Sequence, residues 1–181
     1  NTHIHGAKIA SEGELSIDAK GDVYIGLASM LTSEFKDIDY NMWGGAHGSE
    51  KDKIEEYVYT GNKSDLVGGR VKITAGNDAR ILGGKINGLN GGEISAQNYL
   101  SIDGVLGTRS FKRDQKTGGI MHTNESASTS KNHYEKFIDS EISSDGDFRI
   151  FSQKDLYIDG SRINVNGKLD INANDKLTVQ A

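Results

Sequence analysis

The chain of 181 residues has no cysteine and no proline, and Phe, Trp and Tyr together make up only 7% of it. Without cysteine there is no disulfide and no thiolate metal site, and the redox compartment leaves no trace. Hydrophobic residues are scarce at 35%, below an ordinary globular domain, whereas glycine is plentiful at 23 residues. That balance disfavours a thick, isotropic core. It suits a thin fold with many tight turns, because glycine takes positive φ without strain. No apolar run is long enough to cross a bilayer as a helix, and no signal peptide is recognisable. The net charge of −5 excludes a general phosphate-backbone binder, so no nucleic-acid partner is expected. The chain opens at Asn1 and stops at "LTVQA" in mid-pattern, and is expected to be a fragment of a longer array.

What the sequence does contain is a repeat, the first feature to settle because it dictates the architecture. One 11-residue form occurs five times: "LSIDAKGDVYI" (15–25), "VKITAGNDARI" (71–81), "GEISAQNYLSI" (92–102), "FRIFSQKDLYI" (148–158) and "LDINANDKLTV" (169–179). Its central isoleucines, Ile17, Ile73, Ile94, Ile150 and Ile171, are spaced by 56, 21, 56 and 21 residues, giving a period of 77. The connections keep the same phase. "HGAKIASEGE" (5–14), "LGGKINGLNG" (82–91) and "DGSRINVNGK" (159–168) align without gaps and bring Gly6, Gly83 and Gly160 into register.

Each unit reads as strand, turn, strand: positions 1 and 3 point inward, a small residue at position 5 permits a corner, and positions 9 and 11 point inward again. The inward isoleucine of the connection adds a third short strand. Roughly five apolar side chains at roughly 1.5–3 kcal/mol each do not offset roughly 1–2 kcal/mol per ordered residue, so one coil cannot stand alone. Coils stacked at about 4.8 Å bury a continuous aliphatic column. The expected fold is therefore all-β: a right-handed, triangular parallel β-helix of about five 21-residue, three-strand coils. A β-sandwich would not require identical residues at identical phase, and a calcium-binding β-roll needs glycine-rich nonapeptides that are absent.

The whole chain, 1–181, is expected to be a single β-helix fragment with two insert-containing segments, 26–70 and 103–147, in which 45 residues replace the ten-residue connection. In the first, Ile38, Tyr40 and Met42 alternate, a Gly-rich charged turn follows, and the run Tyr57–Tyr59 returns, which reads as an extra-helical β-hairpin. The second is poorer in apolar residues and is expected to be looser. Tyr57 and Tyr134 fall at one phase of the repeat.

The segments "YVYTGNKSDLVGGRVKITAGNDARILGGKI" and "YEKFIDSEISSDGDFRIFSQKDLYIDGSRI" resemble the haemagglutinin repeats of filamentous haemagglutinin. They equally resemble those of the large two-partner-secretion exoproteins, including contact-dependent growth-inhibition effectors. The long spacing with polar inserts is more similar to the second, C-terminal type of repeat. Gly92 departs from the pattern at an apolar position, and Asp78 is matched by Tyr99 and Lys176. The resemblance implies a secreted or cell-surface bacterial exoprotein. Its implied partners are an outer-membrane transporter of the two-partner pathway, the surface of a host or target bacterial cell, and neighbouring coils of the same chain. Adhesion and delivery of a C-terminal toxin both remain open.

Little in the residues points to catalysis. His3 and His5 share a strand face, but two neighbours do not make a metal site. Ser, His and Asp occur without a nucleophile elbow. Asp22, Asp78 and Asp155 sit beside turns, where a carboxylate accepting backbone N–H groups is the simpler role. A β-helical polysaccharide lyase or hydrolase is the alternative that fold alone does not dismiss, although its acids and bases would have to converge. No metal and no cofactor is expected. The candidate contact surface is Tyr40, Met42 and Trp43 with Tyr57 and Tyr134, because exposed aromatics on hairpins favour interfaces; burial against the helix flank is the competing placement.

Overall fold

The computed structural model describes the backbone of residues 1–28, 30–42, 46–58, 62–118 and 125–180, and the side chains of 1–28, 62–106 and 135–180. Among the described residues every helix or strand element is a β-strand. The chain divides into two compact units: Asn1–Ala28, Gly61–Leu106 and Phe137–Ala181 form one, Ser29–Thr60 and Gly107–Lys136 the other.

The first unit is a stack of coils, each with three faces. The third face is the simplest. It pairs β1 (Thr2–His5), β3 (Val23–Gly26), β7 (Ala79–Leu82), β10 (Tyr99–Asp103), β15 (Asp155–Asp159) and β18 (Lys176–Gln180), in that order and always parallel. The other two faces share one curled sheet, because β2 (Lys8–Ala19) and β6 (Asp65–Ala75) each run across both. Their N-terminal halves join β8 (Lys85–Gly88), β13 (Ser140–Ser144) and β16 (Ser161–Val165) on the first face. Their C-terminal halves join β9 (Gly92–Ala96), β14 (Phe148–Ser152) and β17 (Leu169–Ala173) on the second. A bulge between Ser11 and Glu14 takes β2 around the corner between these faces, and Gly69 lies so close beneath it that a Cβ there would meet the Glu12 carbonyl at 2.5 Å.

Parallel in-register pairing stacks like on like, so the sequence repeat becomes columns of side chains. Ile17, Ile73, Ile94, Ile150 and Ile171 lie directly above one another. So do Ile4, Ile25, Ile81, Ile102 and Ile158 on the third face, with Val179 closing the column. Ile73, Ile94, Ile102 and Ile150 are wholly buried. The small residues at position 5 are buried at the corner: Ala75, Ala96 and Ser152. The expected parallel β-helix is the fold observed.

The inserts do not replace the connection, as the sequence suggested; the strand of the connection survives at the end of each. Asp65–Gly68 and Glu141–Ser144 both pair with β8, which adds Leu66 and Ile142 to the column of Ile9, Ile86 and Ile163. The third-to-first-face turn is what changes. Gly6, Gly83 and Gly160 adopt φ of 60, 64 and 51°, a left-handed backbone open mainly to glycine, whereas the chain returning from the two inserts enters through Lys63 and Asp139.

The second unit holds a four-stranded sheet built from both inserts, β4 (Met30–Met42), β5 (Ala46–Val58), β11 (Val105–Gly118) and β12 (Glu125–Ile138), ordered β12-β11-β5-β4, with β5 antiparallel to both β4 and β11. The second insert, expected to be looser, supplies strands of 14 residues each.

Candidate functional site

On the third face the inward residues fill the column and the alternate ones must face outward. His3, Tyr24, Arg80, Ser101, Tyr157 and Thr178 thereby form a second column on the outer surface. Its upper part is an aromatic stack. The His3 ring lies parallel to Tyr24, 5.0 Å between centroids and 3° apart, and 6.1 Å from His5. The exposed Arg80 guanidinium stands 5.7 Å from the ring centres of both Tyr24 and Tyr99, the geometry of a cation–π contact. Ser101 is covered beneath it, at 1% exposure.

The lower part carries acids. Asp103 and Asp159 are register partners on neighbouring coils. Burial, reinforced by the nearby Asp159 charge, pushes the Asp103 carboxyl above its usual range, and its Oδ1 is buried without a hydrogen-bond partner. Burial, then the Asp103 charge, also raises Tyr99. Tyr157 donates its hydroxyl to Gln180 Oε1 at 3.0 Å. This surface offers flat stacking faces, one cation and several acceptors, the chemistry of a contact area. Among the described residues no three His, Asp or Glu side chains gather to hold a metal ion.

Two polar ladders brace the turns around this face. Asp22 accepts from Asn77 Nδ2 at 2.7 Å and from the Asp78 amide at 3.3 Å, and these bonds, Asn77 first, hold its carboxyl below the ordinary value. Asn98 in turn donates its amide to Asn77 Oδ1. The turn role expected of Asp22 is therefore observed, while the main chain serves at the others: Val23 donates to the Asp78 carbonyl and Asp155 to that of Asn98. At the return points of the inserts, Lys63 Nζ donates to both Asp139 Oδ1 and the Asp139 carbonyl, each at 2.8 Å. Arg162 adds a second cation 3.3 Å from Asp139 Oδ2. Gly83 lies between those coils, and a Cβ there would meet Leu27 at 3.1 Å and Ile138 at 3.5 Å.

Buried serines complete the corner. Ser64 donates to the Gly26 carbonyl at 2.6 Å and Ser140 to that of Asp103 at 2.6 Å. Both are fully buried, capping acceptors at the end of the third face.

Of the residues singled out from sequence, Tyr40 and Met42 lie on β4, Tyr57 on β5 and Tyr134 on β12. The backbone therefore gathers all four into the insert sheet, with Tyr40 opposite Gly48 and Tyr57 between Leu31 and Ser110. Trp43 lies outside the described residues, as do the side chains of the other four. The outer column was missed because its members share no residue type. The usable signal was position 10 of the repeat, occupied by Tyr24, Arg80, Ser101, Tyr157 and Thr178.

The profile of a family described as "Hemagglutinin repeat" matches residues 1–119 and 121–181. A protein named "Hemolysin" from Serratia marcescens is 28% identical over 173 residues, which cover 94% of this chain and 11% of that protein. A "Hemolysin" from Proteus mirabilis is 22% identical over 178 residues, covering 97% of this chain and 11% of its own length. The chain thus spans about a ninth of the curated relatives it matches. No solved structure matches it.

Proposed function

Because the chain belongs to the haemagglutinin-repeat family, we propose that it is a non-enzymatic structural and contact segment of a large, secreted two-partner exoprotein. The single observation that supports this reading most is the unbroken column Ile17–Ile73–Ile94–Ile150–Ile171. Such a stack gains support from each added coil and has no intrinsic stopping point, which is what a long exported filament requires. Each of the two relatives is about nine times longer than the stretch that this chain matches, which fits a segment of a large protein.

In the full-length protein the partner at export is an outer-membrane transporter, and the surface met afterwards is a host or target bacterial cell. The insert residues Tyr40, Met42, Trp43, Tyr57 and Tyr134 form the variable contact surface. The coils supply reach, whether for adhesion or for carrying a C-terminal toxin. The test is binding of the labelled 181-residue protein to cells. Tyr40→Ala with Trp43→Ala is expected to cut binding several-fold while the far-UV circular dichroism spectrum stays unchanged. Undiminished binding with the fold intact would remove the inserts from the contact surface.

A further inference from the structure

On the first two faces of the stack, parallel register sets charged side chains one above another. One outward row of the first face runs Lys8, Asp65, Lys85, Glu141 and Arg162. One outward row of the second runs Lys72, Glu93, Arg149 and Asp170, preceded by the neutral Ser16. Both rows alternate in sign at every step from one charged residue to the next. All nine charged residues are exposed or half-buried. Neighbouring strands lie about 4.8 Å apart, inside the screening length of about 8 Å at physiological salt, and Arg149 Nε stands 3.8 Å from Asp170 Oδ2.

The two rows run in opposite phase. The coils that follow an insert, 65–82 and 140–159, carry an acid on the first face (Asp65, Glu141) and a base on the second (Lys72, Arg149). The plain coils 85–103 and 161–180 carry the reverse, Lys85 with Glu93 and Arg162 with Asp170, and the plain coil 8–26 keeps Lys8. We infer that these charges specify which coil lies on which: an insert coil takes plain neighbours, and a plain coil takes insert neighbours. The aliphatic columns do not make that distinction, since Ile73, Ile94 and Ile150 offer each coil the same buried side chain. Skipping one coil would keep the isoleucines matched but set Glu141 on Asp65, Arg149 on Lys72, Arg162 on Lys85 and Asp170 on Glu93. Like charges directly opposite are destabilising, so repulsion in the wrong pairing discriminates as much as attraction in the right one. Each exposed pair is weak by itself, and the two faces act together.

The test gives the middle plain coil the charges of an insert coil. Lys85→Glu with Glu93→Lys turns four attractive contacts repulsive, while Lys85→Gln with Glu93→Gln only removes them; both leave the net charge at −5 and the isoleucine columns untouched. In low salt the exchanged variant is expected to unfold a few degrees below the neutral one. In 1 M NaCl, where the screening length falls to about 3 Å, the gap is expected to close. An exchanged variant that folds only in 1 M NaCl, followed by far-UV circular dichroism, is the same result at its strongest. A second measurement reads a sign. Lys72→Glu is expected to lower the unfolding midpoint of the parent, where it faces Glu93, and to raise that of Glu93→Lys. Equal midpoints for the two middle-coil variants in low salt, a deficit that survives 1 M NaCl, or the same sign for Lys72→Glu in both backgrounds would each overturn the inference.

Discussion

Phe148 occupies the space that a side chain at Gly92 would need. The two are register partners on adjacent coils, and a Cβ built on Gly92 would lie 2.5 Å from Phe148 Cε2. The column position holds Leu15 and Val71 on one side and Leu169 on the other, so the missing volume in one coil is supplied by the ring of the next. Interiors packed to crystal density tolerate such exchange only when total volume is kept.

Phe148→Ala therefore opens a cavity two coils deep rather than one. The expected loss is about 3–5 kcal/mol in denaturant unfolding, with Phe148→Leu clearly milder. Gly92→Ala is expected to destabilise even beside Phe148→Leu, because its Cβ would also meet the Val71 carbonyl at 2.6 Å. Full rescue by that double change would show that the ring alone fixes the glycine.

Inward and outward positions should differ sharply within one motif. Ile94 is fully buried and Ser16 is exposed on the second face. Ile94→Asp puts an unpaired charge into the column and is expected to cost several kcal/mol, on the order of 3–5. Ser16→Asp should lie within about 0.5 kcal/mol of the parent. Thermal unfolding of the two variants checks this, and similar midpoints would contradict the assigned faces.

Two carboxylates should give opposite pH dependence. Lys63, first by its hydrogen bond, holds Asp139 below the ordinary carboxylate value. Its contribution is therefore complete above the unfolded pKa and fades as pH falls through the lower folded value. Asp103 is raised by burial, so its contribution is present in acid and is lost as pH rises through the folded value. Asp139→Asn should lower the unfolding temperature at pH 7, and Asp103→Asn should raise it. Both groups are only partly buried, so both effects are small, about 1 kcal/mol or less, and both should shrink toward pH 2. Shifts of the same sign at pH 7 would contradict the assignment.

The Asn77 ladder has its own readout. Asn77→Ala removes the largest influence on Asp22 and strands the Asn98 amide. The Asp22 carboxyl, followed by NMR titration, should move up toward the ordinary value. An unmoved titration would mean the Asp78 amide alone sets it.

The aliphatic columns were legible in sequence because parallel in-register stacking turns periodicity directly into contact. Ile17, Ile73 and Ile94 needed nothing more than their phase. Leu66 and Ile142 were not found, since the returns from the inserts enter through Lys63 and Asp139 where the plain turns carry Gly6, Gly83 and Gly160. With that marker gone, the strands looked like part of the inserts. Ser64 and Ser140 were illegible for a different reason: a serine reads as a surface residue until the carbonyl groups it serves, those of Gly26 and Asp103, are placed beside it. The outer column through Tyr24 and Arg80 brings together neighbours of unlike type, so only their shared phase, position 10 of the repeat, records it.

Lys63 follows one insert and Asp139 the other, and the strands that come before and after each insert lie side by side in the same two sheets. A protease that severed the chain within either insert would yield separate peptides under denaturing conditions and a single particle under native ones. The continuity of the polypeptide is, at those two places, redundant to its cohesion.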